Sequence, residues 1–397
     1  MKEIVFVAYL SNYGGIESLI IRMTRWLNEK GHIVSVLCDR DRAVNKKLED
    51  ELNQAGAEIR FVSFRKRAEN IAELRETYKK KNIVCITFSY PGLIVADSIF
   101  NGNDNADVIF YDPHQFGLMM DYWTSKKALK PMLHLASKVI CRRLYRNHQI
   151  IFMDHLCKNR TLMDFHLVDK YDDDVLLLPM EIKKINLDQV REKANNKPFN
   201  ILTVCRMEFP FKGYVFGLID LFSDLVREGL DVSLTIIGSG SNDDKLVEKI
   251  ESVDKKVSER LNRLAEVPYS QLAGFFEAAA LYIGMGTTVA DAVNHGVAAL
   301  PIGSYTYECK GYDFFFKDPE NLGGLYGDRD IGDLVREIYS MNSDRYVEHC
   351  QRDYEELKKM YDIEIIGESF MSFKNTKHVL FNPFERKIIS FAKRLIS

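Results

Sequence analysis

A glycine turn between an apolar run and a helix-like segment is the feature of this sequence best suited to chemistry. The run ends at Ile283, and the residues after it that could bind a ligand are Gly284, Met285, Gly286, Thr287, Thr288 and Asp291. Two glycines let the backbone approach a ligand closely, and a helix that begins near Thr287 directs unpaired N–H groups at an anion such as a diphosphate. The Asp291 carboxylate, one turn later, is placed to hold a pair of hydroxyl groups. Because many α/β proteins use such a turn only as a tight connection, it predicts phosphate binding only together with other features.

Two cations follow an apolar run upstream of this turn. Residues 199–205 predict a buried strand that leads to Arg206, and Lys212 and Gly213 come shortly afterwards. Arginine binds phosphate oxygens through its planar fork and lysine is a mobile point charge, so the pair suits a diphosphate leaving group. The simpler interpretation is that Arg206 and Lys212 form surface salt bridges in the loop after a strand.

A second Gly-x-Gly turn ends the apolar run 232–237. Its glycines are Gly238 and Gly240, and a further strand-like run is followed by Tyr305 and Tyr307. Ligands of open α/β sheets bind beyond the carboxyl ends of the strands. The sequence therefore predicts that all these turns meet at one edge of a sheet.

Strand-like and helix-like segments alternate along most of the chain, up to about residue 340, and the remaining tail is predicted to be mainly helical. In the first half the predicted strands are 4–9, 33–38, 59–62, 83–88, 108–111 and 149–153. This alternation is typical of a parallel sheet covered by helices. A short strand at 175–180, stopped by proline, and the polar segment after it predict a domain boundary, beyond which the alternation restarts at Phe199.

Composition describes an ordinary globular protein. The 397 residues are 46% hydrophobic and 28% charged, which is enough for two domains with a core in each. A net charge of −3 gives no reason to bind nucleic acid, and seven cysteines without a CxxC pair predict reduced thiols rather than disulfides or a zinc site. With neither a signal peptide nor an apolar run of membrane-spanning length, the expected location is the cytoplasm.

One segment is strongly basic. Residues 122–153 contain seven lysines and arginines and no acid, interleaved with apolar residues. A basic helix with an apolar stripe suits the surface of an anionic membrane, which predicts peripheral attachment to the inner face of the cell membrane. The alternative is a solvated basic face on a helix that packs against its own core.

In order and spacing, these motifs resemble those of glycosyltransferase family 4, retaining enzymes of the GT-B fold that use nucleotide sugars, as do bacterial polysaccharide-biosynthesis members. The matching residues are Arg206, Lys212, Gly213, Gly238, Gly240, Gly284 and Gly286, with Asp291 where the family has its second glutamate. Near the N-terminus, Gly14, Gly15 and Glu17 resemble the family's Gly-Gly-x-Glu loop. The resemblance spans residues 1–365.

The resemblance implies an α/β protein of the GT-B fold, with two Rossmann-like, doubly wound domains that face a central cleft. Residues 1–178 would be the acceptor-side domain and 179–380 the nucleotide-sugar domain, while 381–397 would be a terminal helix of the kind that crosses back to the first domain in relatives. The catalytic residues that it implies are Arg206, Lys212 and His114.

The donor that the resemblance implies is a nucleotide sugar, with a UDP-sugar expected first. Gly14 and Gly15 would bring backbone amides to it, and His114 would contact the sugar near the reacting carbon. No bound metal is expected, because Arg206 and Lys212 would supply the charge at the diphosphate. The acceptor would be a glycan or lipid-linked glycan in bacterial surface polysaccharide synthesis, and the transferred group a hexosyl or N-acetylhexosaminyl group.

One departure from the family affects the donor sugar. Ile283 stands where the family has its first glutamate, which helps to hold that sugar, and isoleucine cannot accept a hydrogen bond. Either another residue holds the sugar, or the donor is unusual, or the protein is a non-catalytic GT-B partner that stabilises another transferase. A further alternative is a nucleotide-sugar epimerase, which needs an acid/base pair of carboxylates near the sugar that the sequence does not show.

Overall fold

The computed structural model describes residues 2–11, 14–64, 71–122, 124–265, 267–268, 271–325, 327–376, 381–382 and 385–387. Packing divides the chain into two compact units. They are Met1–Pro179 together with Ile363–Ser397, and Met180–Asp362. Each unit is built around one parallel sheet.

In the first unit, strands and helices alternate along the chain. In order they are β1 (Glu3–Ala8), α1 (Gly15–Glu29), β2 (Ile33–Asp39), α2 (Lys46–Gln54), β3 (Glu58–Val62), α3 (Ile71–Tyr78), β4 (Ile83–Thr87), α4 (Tyr90–Phe100), β5 (Ala106–Asp112), α5 (Lys130–Arg146), β6 (Ile150–Phe152) and α6 (His155–Phe165). The sheet has the order β3-β2-β1-β4-β5-β6, and every neighbouring pair is parallel. All residues of β1 are buried. Central strands of a parallel sheet are covered on both faces, so in the sequence they are nearly continuous apolar runs.

The second unit repeats this alternation. In order its elements are α7 (Leu187–Asn195), β7 (Phe199–Val204), α8 (Tyr214–Arg227), β8 (Val232–Ile237), α9 (Asp243–Glu251), α10 (Lys255–Ser258), β9 (Leu261–Leu264), α11 (Leu272–Ala278), β10 (Leu281–Gly284), α12 (Thr287–Asn294), β11 (Ala298–Pro301), β12 (Lys310–Gly311), β13 (Arg329–Asp330), α13 (Gly332–Ser340) and α14 (Ser343–Tyr361). The five-stranded sheet is parallel, with the order β11-β10-β7-β8-β9, and β12 pairs antiparallel with β13. The predicted α/β class with two parallel sheets is therefore confirmed.

The segment between the units differs from the prediction. The run 175–180 is not a strand, since it makes only single bridges, from Val175 to Phe152 and from Met180 to Asp362. Proline has no backbone N–H to donate to a neighbouring strand, and Pro179 stands in this run. The division between the units falls directly after this proline.

The chain returns to the first unit earlier than expected. Helix α15 (Ile363–Ser372) belongs to that unit, whereas the sequence placed the return at residue 381. Trp26 Nε1 donates to Glu364 Oε1 at 3.0 Å, and a Cβ at Gly367 would lie 2.7 Å from the Trp26 ring. Within the expected terminal helix 381–397, residues 383, 384 and 388–397 lie outside the described residues.

The basic segment 122–153 centres on α5, and Trp123 lies outside the described residues. Most of its apolar stripe packs into the core of the first unit. The buried stripe residues are Leu133, Ile140, Leu144 and Tyr145. Leu135, by contrast, is 61% exposed. Within the described ranges, no helix combines the length and the apolar character needed to cross a membrane.

Candidate functional site

The carboxyl ends of the parallel strands of the second unit gather most of the predicted site residues. Gly284 ends β10, and Gly286 precedes α12 with φ of +79°, a left-handed conformation that favours glycine. Gly286 is also the N-cap of α12, and it has no side chain that could accept from the first-turn N–H groups. The predicted glycine turn therefore precedes a helix that begins at Thr287, with its N–H groups directed towards this edge.

Tyr282 explains why position 284 must be glycine, which the sequence did not show. A Cβ at Gly284 would lie 2.4 Å from Tyr282 Oη, so the tyrosine hydroxyl occupies the space that a side chain would need. The same hydroxyl lies 2.5 Å from Thr288 Oγ1 and 3.3 Å from the Val204 carbonyl oxygen, and Thr288 donates to the Met285 carbonyl at 3.3 Å. The group that lies against Gly284 is thus the side chain of Tyr282 and not a ligand. Its hydroxyl connects the end of β7 with the first turn of α12 by hydrogen bonds.

Two further predicted residues of this turn are largely enclosed. Met285 is 8% exposed and packs against the loop at Gly323, where a Cβ would lie 2.8 Å from Met285 Cβ. Asp291 lies one turn into α12 and is 4% exposed, and its carbonyl lies 2.8 Å from His295 Nδ1. Asp291 is therefore a buried carboxyl beneath the turn rather than a residue of the open surface.

The two predicted cations stand on the loop after β7. Arg206 is 53% exposed and lies 3.4 Å from Glu208, while the Lys212 N–H donates to the Glu208 carbonyl at 2.8 Å. Exposed ion pairs contribute only about 0–1 kcal/mol, so Arg206 can exchange Glu208 for a phosphate at little cost. The pKa of Lys212 is lowered to about 8, mainly by burial, and the positive charge of Arg206 contributes in the same direction.

The glycines after β8 hold this loop in place. A Cβ at Gly238 would lie 1.9 Å from the Cys205 carbonyl oxygen, and one at Gly240 would lie 2.5 Å from the Met207 carbonyl oxygen. The N–H of Met207 donates to the Ser239 carbonyl at 3.0 Å. The predicted binding residue Gly238 therefore packs on the backbone just before Arg206, and Gly240 packs on the backbone just after it.

In the first unit, Gly14 and Gly15 stand at the start of α1. Gly14 is the N-cap, and its carbonyl accepts from the N–H of Ser18 at 3.1 Å. A Cβ at Gly14 would lie 2.8 Å from Glu17 Oε2. Glu17 lies in the first turn, where a carboxylate interacts favourably with the helix dipole.

His114 lies in the loop after β5 as a neutral side chain. The N–H of Phe116 donates to His114 Nδ1 at 3.1 Å, and burial lowers the pKa of His114. The ring proton is therefore on Nε2, which makes this nitrogen a donor. The loop folds over Asp112, whose pKa burial raises well above its usual range, and a Cβ at Gly117 would lie 1.9 Å from the Asp112 carboxyl.

The structure therefore assigns the predicted residues to two separate groups. His114, Gly14 and Gly15 belong to the first unit, and all the others to the second. Within the second unit, contacts through Tyr282 and Gly238 join the ends of β7, β8 and β10. Tyr282 was not singled out from the sequence, although a bulky side chain two residues before a glycine is the signal that would have pointed to it.

The architecture of this chain is similar to that of several solved structures. No model of a protein family matches the sequence, and no curated protein matches it. Among solved structures, the chain is similar to HepE of Anabaena in complex with UDP and glucose, with 11% identity, coverage of 94% of this chain and 98% of the other, and a TM-score of 0.63. It is also similar to a glycosyltransferase from Rickettsia africae, with 13% identity, coverage of 100% and 99%, and a TM-score of 0.58.

A third similar structure is a TarM mutant of S. aureus in complex with fondaparinux, alpha-GlcNAc-glycerol and UDP. It shares 13% identity, with coverage of 94% of this chain and 99% of the other, and a TM-score of 0.62. At such identities the similarity shows the fold and nothing finer, so membership of glycosyltransferase family 4 stays a prediction. The two parallel sheets and the length shared with these structures show that the chain has the GT-B fold.

Proposed function

We propose that this chain is a retaining glycosyltransferase that moves a sugar from a UDP-sugar onto a hydroxyl group. The observation that carries the proposal is the placement of Arg206 and Lys212 on a loop held by Gly238, at the edge where α12 begins. Two cations and a helix N-terminus are complementary to a diphosphate. The solved structures with this fold that contain UDP are consistent with that ligand.

The proposed chemistry at this edge is electrostatic. Arg206 and Lys212 stabilise the negative charge that grows on the UDP leaving group, and preorganised charges of this kind contribute several kcal/mol to a transition state. The protein's own cations would do this work without a bound metal. Asp291 would interact with the ribose hydroxyls only if the turn above it opens, because its side chain is buried.

The remaining residues of the proposal belong to the first unit, which we propose to be the acceptor domain. Within the first unit, His114 Nε2 would donate to a sugar hydroxyl, and Gly14 and Gly15 would present backbone amides to a ligand. With no side chain assigned as a covalent nucleophile, the acceptor would attack on the face from which UDP leaves. The proposed acceptor is a glycan or lipid-linked glycan of a bacterial surface polysaccharide.

The proposal is tested by nucleotide release from a panel of UDP-, GDP-, ADP-, dTDP- and CMP-sugars, with and without a membrane lipid extract. Release from a UDP-sugar that depends on the extract is the expected result, because the extract supplies the hydroxyl acceptor. Release of another nucleotide would correct the donor. No release from any donor, with the protein still binding UDP in calorimetry, would contradict catalysis.

That last outcome would favour a non-catalytic GT-B partner, for which one observation speaks. Ile283 is fully buried in β10, so its side chain offers neither a hydrogen bond nor a charge to a donor sugar. Such a protein would retain the diphosphate contacts of Arg206 and Lys212 and would bind UDP without turnover.

We also propose that the basic face of α5 and the turn before it contact an anionic membrane. Lys126, Lys127, Lys130 and Arg146 are exposed. Each such cation near an anionic surface contributes about 1 kcal/mol, or about fivefold in affinity. Because the apolar stripe is mostly buried, this attachment would be electrostatic and weakened by salt.

Co-sedimentation with phosphatidylglycerol vesicles tests this contact. The combined K126E, K127E and K130E variant is expected to lose binding by more than 100-fold, and vesicles of phosphatidylcholine are expected to bind neither protein. The matched control carries K47E, K79E and K80E, which change the net charge equally at exposed lysines of other segments. Equal loss in both variants would mean that net charge alone, and not α5, governs binding.

A further inference from the structure

Two aromatic rings lie beside Lys212 at the proposed diphosphate site, Phe211 partly buried and Tyr305 exposed. The Phe211 and Tyr305 rings are 5.2 Å apart between centroids, and Lys212 Nζ lies 4.7 Å from the Phe211 ring centroid. Tyr305 is 46% exposed, although a large aromatic ring usually gains free energy by burial. A partly exposed aromatic pair in contact with a cation is a surface suited to a ligand that carries both an anionic group and a flat apolar face.

The loop that carries Tyr305 is held rigidly on the loop of Lys212. The N–H of Tyr305 donates to the Phe211 carbonyl at 3.1 Å, and a Cβ at Gly213 would lie 2.7 Å from the Thr306 carbonyl oxygen. Tyr305 also has φ of +57°, a left-handed conformation that is unfavourable for a bulky residue. The surrounding contacts therefore fix the ring in an exposed position at a cost in backbone energy, as is found at ligand-binding sites.

We propose that Phe211 and Tyr305 form a platform for the sugar ring of the nucleotide-sugar donor. This inference rests on the proposed function, since it assumes a diphosphate at Lys212. In a nucleotide sugar the sugar is bonded directly to the terminal phosphate, so a phosphate at Lys212 brings the sugar to the adjoining rings. The C–H face of a pyranose is apolar and packs on an aromatic ring, while its hydroxyl groups remain in water.

The end of β10 does not offer this contact. Ile283 is fully buried, and the space at Gly284 is taken by the Tyr282 hydroxyl. Phe211 and Tyr305 belong to the loops after β7 and β11, which flank β10 in the sheet. The platform is thus built at the same edge as the turn before α12, by loops on either side of it.

Calorimetric titration of UDP, UDP-glucose and UDP-GlcNAc into the native protein and its variants tests the platform. Tyr305→Gly and Phe211→Leu are expected to weaken the tighter of the two UDP-sugars about tenfold, and to leave UDP within about twofold of its native affinity. Glycine suits φ of +57°, so Tyr305→Gly is expected to keep or raise the melting temperature. If the melting temperature is kept, weaker binding by this variant reports the lost ring and not unfolding.

The matched control is Tyr307→Leu. Tyr307 is in the same loop and 51% exposed, but its ring packs on Phe216, with 5.4 Å between the ring centroids. The Tyr307→Leu variant is therefore expected to bind every ligand as the native protein does. Equal weakening of UDP and the UDP-sugars by Tyr305→Gly would overturn the proposal in favour of a contact with the nucleotide. Unchanged affinity for all ligands would overturn it as well, whereas a native protein that binds no UDP would contradict the proposed function itself.

Discussion

Replacement of Lys212 by alanine is expected to lower kcat for nucleotide release by about 100- to 1,000-fold, the usual effect of removing one preorganised donor from a developing anion. The reason is that the Lys212 ammonium stands beside Arg206 at the edge where the diphosphate would leave. The measurement is steady-state release from the UDP-sugar that the donor panel identifies. The melting temperature is expected to stay the same or rise, since burial of this ammonium already opposes its charged form.

Lys212→Arg is the matched control, because it keeps a positive charge at every working pH. In the native protein the ammonium has a pKa of about 8, so it is charged below this pH and loses its proton above it. kcat/KM is therefore expected to fall as pH rises through about 8, and this fall is expected to disappear in Lys212→Arg. Native rates in Lys212→Ala, or an identical pH profile in Lys212→Arg, would remove Lys212 from the mechanism.

Most of the fold could be predicted from the sequence because its central strands are buried on both faces. Such strands are largely apolar runs, as in β1 and β7, and they alternate with helix-like segments. The return of α15 to the first unit could not be predicted in this way. It depends on contacts such as that between Trp26 and Glu364, which are remote in sequence and leave no periodic pattern.

The candidate site was predictable in its residue types and only partly in its geometry. Arg206, Lys212 and the glycine turns lie at strand ends, where the sequence placed them. The reasons for the glycines were not predictable, because they depend on which atoms of other segments come close. Tyr282 fills the space at Gly284, and the glycine turn after β8 packs on the loop of Arg206.

Replacement of Gly238 by alanine is expected to lower the free energy of unfolding of the second unit by about 3 kcal/mol or more. Two effects add. The new Cβ would lie 1.9 Å from the Cys205 carbonyl oxygen, which is backbone and cannot turn away, and φ of +138° is strained for alanine. A loss of this size corresponds to a fall in melting temperature of about 6–12 °C for a unit of this length, measured by thermal unfolding.

The same substitution links stability to the site, because the backbone that must move carries Arg206. UDP affinity is expected to fall together with the melting temperature, even though Gly238 has no side chain to bind a ligand. Gly274→Ala is the matched control: Gly274 lies in α11 with open space around its Cα, so alanine there is expected to stabilise the helix by about 0.5–1 kcal/mol and leave UDP binding unchanged. If Gly238→Ala kept the native melting temperature, the close packing of the turn after β8 on the Arg206 loop would be contradicted. If it unfolded at lower temperature but bound UDP with native affinity, that packing would stand and the Arg206 loop would not be where the nucleotide binds.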